Sequence, residues 1–99
     1  MDLTFPYQGQ LFVWNSEKAA SNLAKHGVSF EKACEAFFDP FVRLADASQK
    51  GETRLAAVGM TEDWALLYVV HLAWENEAIR IISARAATTR ERKAYENYD

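Results

Sequence analysis

Five of the chain's 11 lysines and arginines lie in its last 22 residues: Arg80, Arg85, Arg90, Arg92 and Lys93. Two of these, Arg80 and Arg85, interrupt the otherwise apolar run AIRIISAR. Upstream, Arg54 opens RLAAVG, Lys25 and His26 stand within LAKHG, and His71 stands within YVVHLAW. Guanidinium groups hold phosphate oxygens in a planar fork. Imidazole and ammonium groups move protons near neutral pH, and aromatic rings such as Tyr95 stack on exposed bases. Converging in one pocket, these residues would suit a phosphodiester.

The same residues have an ordinary reading. Arginines can bridge to Glu52, Glu75 or Glu77 and tie strands together. His71 can be a satisfied core histidine, and Lys25 and His26 suit a helix C-terminus, where the macrodipole favours cations. Glu91 and Glu96 intersperse Arg90, Arg92 and Lys93, as on a solvated helix face. Tyr95 and Tyr98 can be core contacts. Residue types alone leave both readings open.

Other chemistries are excluded more firmly. Two histidines and one cysteine, with no HExxH or carboxylate cluster, give no expected metal site. Four glycines, at 9, 27, 51 and 59, fit no phosphate loop, so no cofactor is expected. A net charge of -3 argues against nonspecific duplex binding, and no basic recognition helix is evident.

The elements that must position these residues follow from pattern. LFVW reads as a short strand. Asn15 caps a helix with an Ala19, Ala20, Leu23 and Ala24 stripe, and Gly27 ends it. Ser29 caps a second helix, whose Phe30, Ala33, Cys34, Phe37 and Phe38 recur at helical spacing until Asp39-Pro40. FVRLAD, TRLAAVG, ALLYVVHLAW and AIRIISAR read as strands joined by hairpin turns at MTED and ENE. Thr88 and Glu91 have capping-box spacing, so TTRERKAYENY is a terminal helix. The expectation is α+β: two N-terminal helices, an antiparallel sheet of about four strands and a C-terminal helix. So few helices would leave one apolar sheet face open to a partner. Strand alternation puts Arg80 and Arg85 on opposite faces unless a bulge near Ser83-Ala84-Arg85 re-aims one of them.

Ninety-nine residues, 49% hydrophobic, suit one domain over residues 1–99, with residues 1–10 as an N-terminal extension. One cysteine permits no intrachain disulfide. No signal peptide or membrane span is evident, since WALLYVVHLAW is far short of about 20 residues. A soluble, cytoplasmic protein is expected.

Together, FVWNSEKAASNLAKHGVSFEKACEAFFDP, ETRLAAVGMTEDWALLYVVH and IRIISARAATTRERKAYE resemble the BrnT toxins of BrnT/BrnA type II toxin–antitoxin systems. The distinctive pieces are W-[DN], N-x-x-KHG-V-x-F, E-x-R and R-I-I-S-A-R-x-A-T-x-x-E-R-x-x-Y. The resemblance implies a RelE-like small ribonuclease fold and metal-independent RNA cleavage that inhibits translation and growth. It also implies neutralisation by a BrnA-like antitoxin, with DNA contacted only through that partner. The matched positions are Lys25, His26, Arg54, Arg80 and Arg85, with Glu52, His71 and Tyr95 beside them. Arg54, Arg80 and Arg85 would clamp phosphate, and His26, Lys25 or His71 would transfer the proton. Tyr95, Arg90, Arg92 and Lys93 would contact RNA. A second possibility is a degenerate toxin, without catalysis, that binds its partner as a co-repressor. Asn15 stands where many members have Asp, an exchange neutral for capping.

Overall fold

The computed structural model describes residues 1–97; Tyr98, grouped above with Tyr95, lies outside them. The first ten residues, expected as an N-terminal extension, are part of the sheet. They form β1 (Asp2–Tyr7) and the start of β2 (Gln10–Asn15), which pair antiparallel. The two-residue turn puts Gln8 and Gly9 at positive φ, 49° and 82°, as right-twisted hairpins favour. Pro6 weakens the strand signal in sequence, but β1 is an edge strand, where a missing N–H is tolerated.

α1 (Ser16–His26) starts where the Asn15 side chain accepts from the backbone of Glu17 and Lys18, both at 3.0 Å. It stops at Gly27, whose φ of 70° a side chain would resist. α2 (Phe30–Ala36) is capped by Ser29. There follow β3 (Arg43–Asp46), β4 (Leu55–Met60), β5 (Leu66–Ala73), a single 3-10 turn over Glu75–Glu77, β6 (Ile79–Ala86) and α3 (Thr89–Glu96). α3 begins at the expected Thr88–Glu91 capping box.

The sheet has six strands in the order β1-β2-β6-β5-β4-β3. This corrects the expectation of about four antiparallel strands, because β2 and β6 run parallel, with Phe12 opposite Ile79 and Val13 opposite Arg80. Hairpin signals describe only strands adjacent in sequence, and β2 meets β6 after a long excursion.

One face of the sheet is closed by α2, which buries Phe30, Ala33 and Cys34 against Phe12, Val69 and Ile81. α1 contributes less than its apolar stripe suggested. Ala20, Leu23 and Ala24 are exposed, and only Asn22 is buried. The reason is its position, beside the half of β6 that β2 does not reach. There the Asn22 amide takes a strand's place, donating to Ala84 O at 2.8 Å and accepting from Ala84 N at 3.1 Å. The opposite face is covered only partly, by α3, which leaves Val70 and Leu72 half-buried.

Candidate functional site

β6 carries one residue more than β5 in their ladder. Arg80 pairs with Leu72 and Ile81 with His71, but Val70 pairs with Ser83, so Ile82 has no partner. This bulge restarts the alternation. Arg80, Ser83 and Arg85 therefore share the open face with Tyr68, Val70 and Leu72. The bulge falls slightly earlier than the Ser83–Arg85 end named from sequence.

The Arg80 guanidinium carbon lies over Trp74, 4.1 Å from the ring centroid, and Nη2 donates to Asp2 Oδ2 at 2.5 Å. Its Nε is buried and has no hydrogen-bond partner. Arg54, just before β4, lines the same cleft of about 280 Å³ and bonds Glu52 at 2.5 Å. Lys18 and Ile82 border this cleft, and both also border a second one of about 220 Å³. Lys25, His26 and Ser83 line that second cleft, so the two form one trough along the bulge. The Asn22–Ala84 bonds hold Lys25 and His26 there by fixing the end of α1 to β6.

Arg85 lies farther along the same face. Its partner Tyr68 is four residues from Leu72, about 13 Å at strand spacing. Its guanidinium carbon lies over Tyr68, 4.1 Å from the ring centroid, and Nη1 and Nη2 donate to the two Glu91 carboxylate oxygens at 2.8 and 2.9 Å. That bond to Glu91 raises the guanidinium's pKa and lowers the carboxylate's.

The remaining expected residues lie apart. His71 is on the helix-covered face, 7% exposed and edge-on to Phe37. Its Nδ1 lies 3.1 Å from Val69 O, which can only accept, so Nδ1 carries the proton. Burial pushes its pKa down, offset in part by that bond. The sheet separates it from a phosphate held by Arg54 or Arg80. The Tyr95 hydroxyl donates to Asp39 Oδ2 and thereby anchors α3. Burial first, and then Asp39, push its pKa up to about 12. Burial works against the Asp39 carboxylate, yet bonds from Tyr95 and the backbone of Phe41 and Met60 hold it below the usual range. Arg90, Arg92 and Lys93 are exposed on α3, and Arg92 pairs with Glu96 at 3.8 Å.

Lys18, Asn22 and Trp74 join the face without having been singled out. A polar stripe at Lys18, Ser21, Asn22 and Lys25 was readable at helical spacing; the Trp74 stack needed the register of β5 and β6. Two larger cavities are poorer anion sites. One, of about 390 Å³, has Glu35, Asp39 and Glu62 in its wall and no basic residue. The other, of about 420 Å³, is mostly apolar, with Phe37, Leu44 and Leu55 around His71. Among the described residues, no cluster of three or more His, Cys, Asp or Glu is placed to hold a metal ion, and no helix is long and apolar enough to cross a membrane.

A mixed six-stranded sheet backed by two helices, with arginines on its open face and lysines on the flanking α1, defines a small α+β protein. The chain belongs to the BrnT family: residues 14–91 match the family model described as the ribonuclease toxin, BrnT, of type II toxin–antitoxin systems. It is similar to the crystal structure of the Brucella abortus ribonuclease toxin BrnT, at 27% identity and a TM-score of 0.62, over 77% of this chain and 94% of that one. No curated relative matches the sequence.

Proposed function

We propose that this chain cleaves RNA on its open sheet face, by attack of the RNA's own 2′-hydroxyl and without a metal ion. The observation that carries the reading is the Ile82 bulge, which sets Arg80 and Arg85 on one face with Arg54, while α1, tied to β6 through Asn22, lines the flank with Lys18, Lys25 and His26. Arg54 and Arg80 hold the scissile phosphate and offset the charge that develops on its oxygens. His26, with Lys25 beside it, takes the proton from the 2′-hydroxyl or gives one to the departing 5′-oxygen. Arg85 and Lys18 hold neighbouring phosphates. His71 has no part in the transfer, and Tyr95 serves by seating α3. In the cell the activity blocks translation and growth, and a BrnA-like antitoxin with its own DNA-binding part neutralises it.

Single replacements Arg54→Ala, Arg80→Ala, Arg85→Ala and His26→Ala, assayed on RNA in vitro with and without chelator, test the reading. Loss of cleavage in Arg80→Ala and His26→Ala, and indifference to chelator, are expected. Four fully active variants, or complete loss of wild-type cleavage with chelator, would overturn it.

One observation favours a second reading, a non-catalytic partner-binding co-repressor. Each of the three arginines is paired with a carboxylate of the same chain: Arg54 with Glu52, Arg80 with Asp2 and Arg85 with Glu91. Expression alone separates the readings. Growth arrest, relieved by the neighbouring gene's product, supports the ribonuclease; harmless expression of folded protein supports the binding module.

A further inference from the structure

We propose that Asp2 is a built-in competitor of the substrate: its carboxylate occupies on Arg80 the position an RNA phosphate takes, and sets how tightly RNA binds. The inference rests on the phosphate-binding role given to Arg80 above. β1, which carries Asp2, lies outside the family match over residues 14–91.

The fold brings Asp2 to Arg80 across an intervening strand. Asp2 pairs with Asn15 in β2, and Val13 of β2 pairs with Arg80 in β6. Met1 O accepts from Ser16 N at 2.8 Å, which pins this end of β1 to the start of α1. The carboxylate is thus delivered by strand pairing, like a ligand on a short tether.

The two partners differ in their surroundings. The Arg80 side chain is 13% exposed, with Trp74 against its face, whereas the Asp2 side chain is 54% exposed. The guanidinium is fixed and the carboxylate is wet. An ion pair with a solvated partner contributes little to stability, so it exchanges readily. Carboxylate and phosphate oxygens match the same guanidinium fork. An arriving phosphate therefore replaces Asp2 without rebuilding the site, and every RNA complex must first break that pair. Until then Asp2 cancels one positive charge of the trough.

Asp2→Asn tests this directly. The amide keeps the size and an acceptor oxygen but loses the charge. The probe is a single-stranded 2′-O-methyl oligoribonucleotide, which lacks the attacking hydroxyl and stays intact. Asp2→Asn is expected to bind it about 3–10-fold more tightly than wild type at low salt. In an Arg80→Ala background, Asp2→Asn should change nothing. Unchanged or weaker binding by a folded Asp2→Asn, with Arg80→Ala impaired, would overturn the competitor role alone. Wild-type binding by Arg80→Ala would remove the phosphate site, and this inference with it.

Discussion

Arg80 and Arg85 lie on the same face of the sheet although five positions separate them, an odd number that a regular strand sends to opposite faces. Ile82, unpaired in the β5–β6 ladder, makes the difference. Both guanidiniums then lie over aromatic rings of β5 or its end, Arg80 over Trp74 and Arg85 over Tyr68. A guanidinium held over a ring presents its donors in a planar fork, which a lysine ammonium cannot reproduce. Arg80→Lys should therefore keep the charge yet lose RNA cleavage by about tenfold or more, and Arg80→Ala by roughly 10²–10³-fold, the usual cost of a preorganised donor. Wild-type kcat/KM in Arg80→Lys would show that only charge matters at this position.

His71 should govern acid stability rather than catalysis. Its folded pKa is lowered from 6.5 by burial, so the unfolded chain takes up the proton first. The stability of the neutral ring is present above pH 6.5 and lost as pH falls through the folded value. Urea midpoints of wild type should drop between pH 7.5 and pH 5 by more than those of His71→Gln. The folded His71→Gln protein should cleave RNA at the wild-type rate; a hundredfold loss would place the histidine in the reaction.

Much of the local structure was legible because it depends on neighbours in sequence. The Asn15 and Ser29 caps, the Gly27 stop and the Thr88–Glu91 box each act within one turn of a helix. The β4–β5 and β5–β6 hairpins need only a turn between apolar runs. What was missed depends on distant partners. The β2–β6 pairing joins segments more than sixty residues apart, and Pro6 hid an edge strand that such a pairing tolerates. The family resemblance puts both His26 and His71 in contention for proton transfer. The sheet divides them, with His26 beside Ser83 and His71 under Phe37.

Asn22 opens the N-x-x-KHG pattern, and its amide joins two parts of the trough. It bonds both backbone groups of Ala84 and donates to Val28 O at 3.0 Å. Asn22→Ala leaves those groups buried and unpaired, at a cost of about 2–4 kcal/mol. Cleavage should fall further than the folded fraction does, because Lys25 and His26 are no longer held against β6. Cleavage in proportion to folded protein would mean that the α1 terminus needs no such anchor.

Tyr95 ties α3 to the loop after α2 through Asp39. Its folded pKa, pushed from 10.0 to about 12, makes the contribution complete below pH 10 and lost as pH rises through about 12. The Asp39 share is present above 3.8 and lost as pH falls through its lowered folded value. Tyr95→Phe should cost about 1.5–3 kcal/mol at neutral pH, the range for a bond to a charged group. It should also flatten the alkaline limb of a stability profile. An unchanged limb would assign the alkaline loss to another group.

Gly59 sets how closely α2 can approach the sheet. A Cβ there would meet Ala36 O at 2.2 Å and Ala36 C at 2.9 Å, backbone atoms that cannot swing aside as a side chain does. Gly27 differs: its Cβ would meet nothing within 4 Å, and only its φ of 70° opposes a side chain. Gly27→Ala should therefore cost about 1–2 kcal/mol, the penalty of one left-handed residue. Gly59→Ala should cost about 3 kcal/mol or more, since α2 must lift from β4 or the strand must bend. Lifting α2 also loosens Phe37 over His71 and the Phe12–Phe30 core, so near-ultraviolet circular dichroism should change in Gly59→Ala and not in Gly27→Ala. Equal unfolding midpoints for the two variants would mean that α2 sits farther from β4 than a glycine contact requires.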